Sequence, residues 1–414
     1  MSITITASNE NKLECHSCGL LHSYDLRGVT SRVSCNRCGA ILKKESKNWL
    51  QLSFAFTVAA LVFFIISNTY PFVAVQLGGV THELNLLSGV IAMFESEQHL
   101  LGLIVISTIF FFPLLEIIAL SLLTITHLLN VKYKWQKFVL GTLSALRPWS
   151  MLEIFLLAVV ISVVKMQSYV TIIPGPALYS FFGLVLCLVG ANRRFNIKLM
   201  WSYLVPENIF YKDLPAKFIS CKECDALIDT RIADAHNHCC RCHKKIHHRK
   251  PMSLQKTLAL TIAAMLLYIP ANTYPMLYTT SLGSTLSSTI IGGAVELVDS
   301  GLWVLALIVI IASVLIPIFK IIVIGWLVFS VKMKSTKMIK QKTKLYHIIE
   351  FIGRWSMVDV FVVTLLVALV HFGLIASAEA GIATLAFSTV VILTMIATEA
   401  FDTRLLWDIN DERT

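Results

Sequence analysis

The sequence predicts an all-α polytopic membrane protein. It has two parallel repeats of four transmembrane helices, each preceded by a small four-cysteine module. Three observations predict this. Motifs return at an offset of 204 to 206 residues: Asn68-Thr69-Tyr70-Pro71 as Asn272-Thr273-Tyr274-Pro275, and Trp149-Ser150-Met151 as Trp355-Ser356-Met357, the latter followed by Glu153 and Asp359. Such spacing marks a duplicated unit of about half the 414-residue chain. Composition places the unit in lipid, because 56% of residues are hydrophobic and 14% charged, against about 25% charged in soluble domains. Finally, basic residues crowd every second loop, which fixes the orientation.

The elements follow in order. Residues 1–47 form the first cysteine module, and residues 48–200 the first membrane repeat, with spans near 50–72, 100–129, 148–170 and 174–192. Residues 201–250 hold the second module, and 251–408 the second repeat, with spans near 255–277, 302–331, 356–376 and 381–399; a tail of 409–414 closes the chain. Each predicted span approaches the roughly 20 residues that cross a hydrocarbon core. The loops 73–99 and 278–301 contain no Lys or Arg, whereas the stretch before the first span, 132–147, 193–254 and 332–354 are basic. Both termini and both cysteine modules are therefore expected in the cytoplasm. The net charge of +10 sits where an anionic inner leaflet attracts it, so it calls for no nucleic acid. Four crossings per unit return the chain to its starting side. The repeats are then parallel, related by a pseudo-two-fold axis along the membrane normal. Equivalent positions near that axis are placed to share one cavity.

The modules carry the clearest chemistry. Cys15-x2-Cys18 with Cys35-x2-Cys38, and Cys221-x2-Cys224 with Cys239-x2-Cys242, are paired knuckles with 16 and 14 residues between pairs. In a reducing cytoplasm a disulfide framework is disfavoured. Four thiolates close a tetrahedral Zn²⁺ site with no open position, giving two structural zinc ions, one per ribbon. Gly19 and Gly39 suit the knuckle turns of the first ribbon. The second lacks both glycines and is crowded by His236, His238, Cys240 and His243, any of which competes with a cysteine as ligand. Redox-active CxxC pairs and bound iron are the competing readings for both.

Charged groups inside spans are the next candidates, because they are costly there. Glu116 and Lys320 occupy equivalent positions in the second and sixth spans, each three residues after a proline, Pro113 and Pro317. A proline frees a carbonyl and opens room for polar contacts. Glu153 and Asp359 start spans three and seven, and Lys165 and His371 lie near their opposite ends. Together these six residues make a candidate polar network for transport. The bland alternatives are ion pairs of Glu153 and Asp359 with Arg147 and Arg354, snorkelling by Lys165, and an interfacial role for His371. Pro71 and Pro275, with Pro113 and Pro317, are candidate helix-break or gating positions. The plainer reading of Asn-Thr-Tyr-Pro is a helix stop, with Asn and Thr binding freed backbone groups. The segments 84–95 and 285–298 are apolar but too short to span, and read as interfacial or re-entrant helices.

No phosphate-binding GxxxxGK[ST] loop, GxSxG or HExxH motif occurs, and no segment outside the spans is large enough for an enzyme core. Enzymes and nucleotide-driven pumps drop out. Binding, transport, thiol redox relay and membrane scaffolding remain.

The doubled cysteine-ribbon and four-span unit, Asn-Thr-Tyr-Pro in both copies, GRWSMVDVF at 353–361 and FDTRLLWD at 401–408 resemble the paraquat-inducible protein A family. SNTYPF and WSMLEIF followed by VVKMQSY are similar to its paraquat-inducible branch. The resemblance covers essentially the whole chain. It implies a bacterial inner-membrane subunit that passes phospholipid to or from a periplasmic tunnel of mammalian-cell-entry (MCE) domains and supports envelope integrity. It maps the family's deep lysine onto Lys320 and its third-span lysine onto Lys165. Where some members carry an acid three residues past the latter, this chain has Ser168. The rivals are a membrane thiol-redox protein and a scaffold that anchors the tunnel without moving lipid.

Overall fold

The structure is a computed structural model and describes residues 10–25, 33–43, 49–77, 80–95, 99–166, 171–205, 218–221, 223–229, 238–239, 241–281, 284–299, 301, 303–370 and 376–411. Two ribbon hairpins open the chain, β1 (Glu10–Glu14) with β2 (Leu21–Asp25) and β3 (Val33–Ser34) with β4 (Ile41–Lys43). In the first repeat come α1 (Trp49–Thr69), β5 (Val73–Leu77), β6 (Val80–Leu84), α2 (Ser88–Glu95), α3 (His99–Ile106), α4 (Phe112–Leu128), α5 (Trp135–Leu146), α6 (Leu152–Met166), β7 (Thr171–Pro174), α7 (Pro176–Arg194) and α8 (Ile197–Leu204). The second ribbon contributes β8 (Phe218–Ser220) and β9 (Leu227–Asp229). Then the order returns: α9 (Ser253–Thr273), β10 (Leu277–Ser281), β11 (Ser284–Ser288), α10 (Ile290–Asp299), α11 (Trp303–Ile310), α12 (Ile316–Lys332), α13 (Ile339–Gly353), α14 (Val358–Val370), β12 (Ala376–Ala380), α15 (Ile382–Ala400) and α16 (Leu405–Asp411).

Among the described residues, six helices are long and apolar enough to cross a bilayer: Trp49–Thr69, Gly102–Leu128, Pro176–Arg194, Ser253–Thr273, Ala306–Lys332 and Ile382–Ala400. Within the third and seventh predicted spans the described helices are α6, with 15 residues, and α14, with 13, or about 22 and 20 Å at 1.5 Å per residue, against a core of about 30 Å. The 3₁₀ turns Arg147–Trp149 and Arg354–Met357 precede them, and Thr171–Pro174 is extended as β7.

Small sheets accompany the helices. β5 pairs β6 in an antiparallel hairpin, and β7, from the far loop of the same repeat, joins on the other edge; β11-β10-β12 repeats the pattern. The register sets Val73 opposite both Leu84 and Pro174. Asn-Thr-Tyr-Pro makes the junction. Asn68 Nδ2 and Thr69 Oγ1 donate back to the carbonyls of Phe64 and Ile65, and Asn272 and Thr273 do the same at Tyr268 and Ile269. These bonds satisfy last-turn groups, as the helix-stop reading requires. The next loop passes so close that a Cβ on Gly175 would lie 2.2 Å from the Pro71 oxygen, and one on Gly381 2.2 Å from that of Pro275. Only glycine fits there.

Pro113 and Pro317 do not break their helices. Each follows a π-turn, Ser107–Phe111 and Ile311–Leu315, in which the Phe112 and Ile316 amides donate to Ser107 and Ile311. The widened turn absorbs the ring's clash with the preceding carbonyl, so α3–α4 and α11–α12 remain continuous.

Within a repeat, α1 packs on α7, and α9 on α15. Ser53, Thr57 and Ala60 are buried along this seam, and Gly183 and Gly190 receive the rings of Phe63 and Phe56. Small residues allow such close approach in membranes. Between repeats, α6 packs on α14, where the equivalent residues Phe155 and Phe361 meet edge to face at 5.5 Å. A residue touching its own counterpart marks the pseudo-two-fold axis. The segments expected as interfacial helices contain α2 and α10, with their first residues in β6 and β11, and α2 reaches across to pack on α14 of the other repeat.

Candidate metal centres and buried charges

Each cysteine set converges. Cys15 and Cys38 sulfurs are 3.5 Å apart, as are Cys18 and Cys35; Cys221 and Cys242 are 3.5 Å apart, and Cys224 and Cys239 3.6 Å. In both sets all four sulfurs lie within 4.8 Å of one another. A tetrahedral ion with metal–sulfur bonds of about 2.3 Å needs sulfurs about 3.8 Å apart. The donors fit a closed four-thiolate metal site. His22 Nε2 stands 3.2 Å from Cys35 Sγ.

The missing glycines of the second ribbon are explained by its backbone. The residue after each knuckle's second cysteine has positive φ: Gly19 at 76°, Gly39 at 79°, Asp225 at 55° and His243 at 58°. Its amide donates to the first cysteine's carbonyl in all four knuckles. Aspartate and histidine tolerate this conformation better than most residues. His243 is therefore a turn residue, and His238 pairs in a β-bridge with Lys245. His236 and Cys240 lie outside the described residues.

The ribbons are crossed over. Cys15, Cys18 and Cys35 share a buried cluster with Val323, Leu327, Ile349 and Trp407, all of the second repeat. Cys221, Cys224 and Cys239 share one with Leu120, Leu140, Leu143 and Trp201, all of the first. Polar contacts follow the same exchange. Glu14 lies 3.8 Å from Arg404, Ser17 Oγ 3.1 Å from His347 Nε2, and the Arg37 guanidinium 4.7 Å from the centre of the Trp407 ring. From the second ribbon, Glu223 accepts from Ser144 and pairs with Lys244, both at 2.6 Å. The two modules also meet each other: Asp225 pairs with His16 and Lys198 at 2.6 Å, and the Ser220 amide donates to Glu14. Burial opposes the Asp225 charge, yet the bond and charge of His16 with the Lys198 ammonium hold its carboxyl below the usual range.

Glu116 and Lys320 are both buried, and each is partnered within its own repeat. Asn192 Nδ2 donates to Glu116 Oε1 at 2.7 Å. Lys320 Nζ donates to Thr394 Oγ1 at 2.8 Å and to the Gly353 carbonyl at 3.4 Å. Asn192 is two residues from the end of α7, so Glu116 is level with the helix end that carries Arg193 and Arg194. The 206-residue offset makes Gly353 the counterpart of Arg147. A Cβ at Gly353 would already sit 3.3 Å from Lys320 Cε and Nζ. Among the described side chains, the first repeat thus brings a cation here from its interhelical turn, and the second from its second span. The duplicated sequence alone does not reveal this exchange, because the two cations occupy non-equivalent positions.

Of the remaining candidates, Glu153 is exposed on the first turn of α6. Lys165 falls in the last turn of α6 and Asp359 in the first of α14; His371 and the side chains of Lys165 and Asp359 lie outside the described residues. Sequence reasoning missed Asn192, Thr394 and the buried pair Asp402–Arg404 (3.0 Å). The last had a signal in the closing FDTRLLWD motif, which the structure makes the seat of the first ribbon.

A family model described as "Paraquat-inducible protein A" matches residues 50–204 and again 254–410. The chain belongs to the paraquat-inducible protein A family. Intermembrane transport protein PqiA of Escherichia coli K12 is 32% identical over 407 residues, covering 96% of both chains. Lipophilic envelope-spanning tunnel protein A of the same strain is 30% identical over 405 residues, 96% of this chain and 91% of the relative. A "probable intermembrane transport protein" of Haemophilus influenzae is 25% identical, over 96% and 95%. No solved structure matches the chain.

Proposed function

We propose that the protein is an inner-membrane subunit of an intermembrane phospholipid transport system. It exchanges lipid between the bilayer and a periplasmic tunnel of MCE domains, and so supports envelope integrity. The observation that carries the reading is full-length similarity to proteins named for intermembrane transport and for an envelope-spanning tunnel. The loop-charge pattern supports cytoplasmic termini and ribbons, which puts the three-stranded sheets and the helices α2 and α10 on the periplasmic face, where a tunnel would dock. The four-thiolate geometry and a reducing cytoplasm favour zinc as the ion of both ribbons. Such sites supply folding energy, and their closed geometry argues against a redox relay.

Lys320 is the residue proposed to act in transfer. A buried cation in a membrane helix costs at least about 2.5 kcal/mol on insertion scales, and its hydrogen-bond acceptors here are a neutral hydroxyl and a neutral carbonyl. Replacing a buried charge by a well-packed apolar side chain is often neutral or stabilising, so a pure scaffold gains nothing from this lysine. With no nucleotide motif, energy for net movement comes from a partner or an ion gradient, with Glu116, Lys320, Lys165 and His371 as the groups able to move a proton, Glu153 and Asp359 completing the network at the ribbon end. The test is transfer of a labelled phospholipid between reconstituted vesicles. Lys320→Met is expected to fold, bind two equivalents of zinc and abolish transfer. Normal transfer by that variant removes Lys320 from the mechanism and favours the scaffold.

A further inference from the structure

A cleft of about 500 Å³ opens between the two repeats at their ribbon-side ends. That volume lies within the usual range for small-ligand sites, about 300–1,000 Å³. The first repeat contributes Arg147 and Trp149, from the turn before α6. The second contributes α13 and α15, including Glu350, Phe351 and Glu399. Three features make this cleft more than a packing gap.

Arg147 is the first. Its Nε and Nη2 are buried and have no hydrogen-bond partner among the described residues; the guanidinium lies 5.6 Å from the centre of the Phe195 ring. A guanidinium left in that state costs free energy unless an acceptor arrives. Glu116 acts on it electrostatically, but Glu116 Oε1 is already engaged by Asn192. The second feature is asymmetry: Gly353 replaces this arginine in the other repeat, and Lys320 fills the space. At this position of the turn the guanidinium belongs to the first repeat. Third, the same cleft carries two exposed carboxylates, Glu350 and Glu399, beside the exposed apolar side chains Phe351 and Ile396. His347 Nδ1 stands 3.2 Å from Glu350, which leaves Glu399 as the principal acceptor.

A cleft lined by a guanidinium from one repeat and a carboxylate from the other, with Lys250 near the latter and apolar surface beside both, complements a zwitterion attached to acyl chains. We propose that it binds the phosphoethanolamine headgroup of a phospholipid, Arg147 taking the phosphate and Glu399 the ammonium. The proposal rests on the transport reading and names its substrate class. The glycerol of an anionic headgroup offers Glu399 neutral hydroxyl donors, for which a glutamine serves as well, but no cation. A choline headgroup keeps the charge but has no N–H to donate.

The test uses full-length protein in nanodiscs of equal parts phosphatidylethanolamine, phosphatidylglycerol and phosphatidylcholine, with retained lipids counted by native mass spectrometry. Wild type is expected to retain phosphatidylethanolamine preferentially. Glu399→Gln should weaken that retention about tenfold, equivalent to about 1.4 kcal/mol, and leave phosphatidylglycerol unchanged. Arg147→Gln should weaken all three, and Arg147→Lys should partly restore them. Metal content and melting temperature are followed for each variant, so that a misfolded Arg147→Gln leaves Glu399→Gln to decide. Equal retention of the three lipids by wild type, or no effect of Glu399→Gln, overturns the proposal. Displacement of lipid by free O-phosphoethanolamine at comparable concentration makes the ligand a soluble metabolite and overturns it too. Selective retention without vesicle transfer refutes the transport reading and leaves the headgroup site; transfer without selectivity refutes the site alone.

Discussion

Loss of metal from the N-terminal ribbon is expected to loosen the second membrane repeat, which lies more than two hundred residues away, and to leave α5 of the first repeat, the seat of the other ribbon, protected. The perturbation is Cys15→Ser with Cys35→Ser, which removes one ligand from each knuckle. An unmetallated ribbon of this size has too little core to stay folded. Its contacts with the second repeat then go together: the Glu14–Arg404 ion pair, the Ser17–His347 hydrogen bond and the Arg37–Trp407 stack. Glu14 and Arg404, at 3.8 Å, form an ion pair without a hydrogen bond, worth about 1 kcal/mol; a neutral hydrogen bond contributes about 1 and the cation–π contact about 0.5–2. The sum is on the order of 3 kcal/mol at α13 and α16. Amide exchange through local opening should accelerate there by roughly two orders of magnitude, since each 1.4 kcal/mol is about tenfold. Hydrogen exchange with peptide-level mass spectrometry reads this directly. Residues 339–353 and 405–411 should lose protection while 135–146 keeps it. Cys221→Ser with Cys239→Ser should give the mirror result, deprotecting 135–146 and 197–204. Deprotection of 135–146 by the N-terminal variant, with 405–411 unchanged, would falsify the crossed arrangement.

Asp225→Gly should cost less than Asp225→Ala, because glycine keeps the left-handed turn at φ 55° and alanine loses both the turn and the ion pairs with His16 and Lys198; metal retention during chelator challenge ranks the two. Gly381→Ala should sharply lower the melting temperature, its Cβ meeting the Pro275 oxygen at 2.2 Å, whereas Gly293→Ala, with open space around it, should be near neutral. Reporter fusions at residues 80 and 283 should read periplasmic and those at 30, 135, 230, 338 and 412 cytoplasmic; a cytoplasmic reading at either of the first two sites removes the proposed orientation and its parallel symmetry.

The sequence by itself determined what depends on local chemistry and on repetition. Uninterrupted apolar runs near 50–72, 100–129, 174–192 and their counterparts became the helices they had to become, since lipid leaves the backbone no other partner. The two sets of four cysteines that converge in the fold were legible because a site able to hold a metal needs such paired spacing. Asn-Thr-Tyr-Pro could be read as a helix stop because Asn and Thr act on carbonyls four residues back.

Tertiary structure decided whatever depends on which surface meets which. Hydropathy marked 148–170 and 356–376 as spans, and the structure adds 3₁₀ turns at their starts and the strands β7 and β12, each completing a sheet begun about a hundred residues earlier. A strand added from a distant loop leaves little local signal, because its pairing is non-local. The two buried cations sit at non-equivalent positions, so comparing the repeats aligns Lys320 with an acid and Arg147 with a glycine. Only packing shows that both project into corresponding regions. Likewise the chain order places each ribbon beside the repeat that follows it, whereas burial places it on the other. The residues that reward burial with the first ribbon, Leu327, Ile349, Arg404 and Trp407, belong to the second repeat, and apolar and charged surfaces associate by complementarity rather than by distance along the chain.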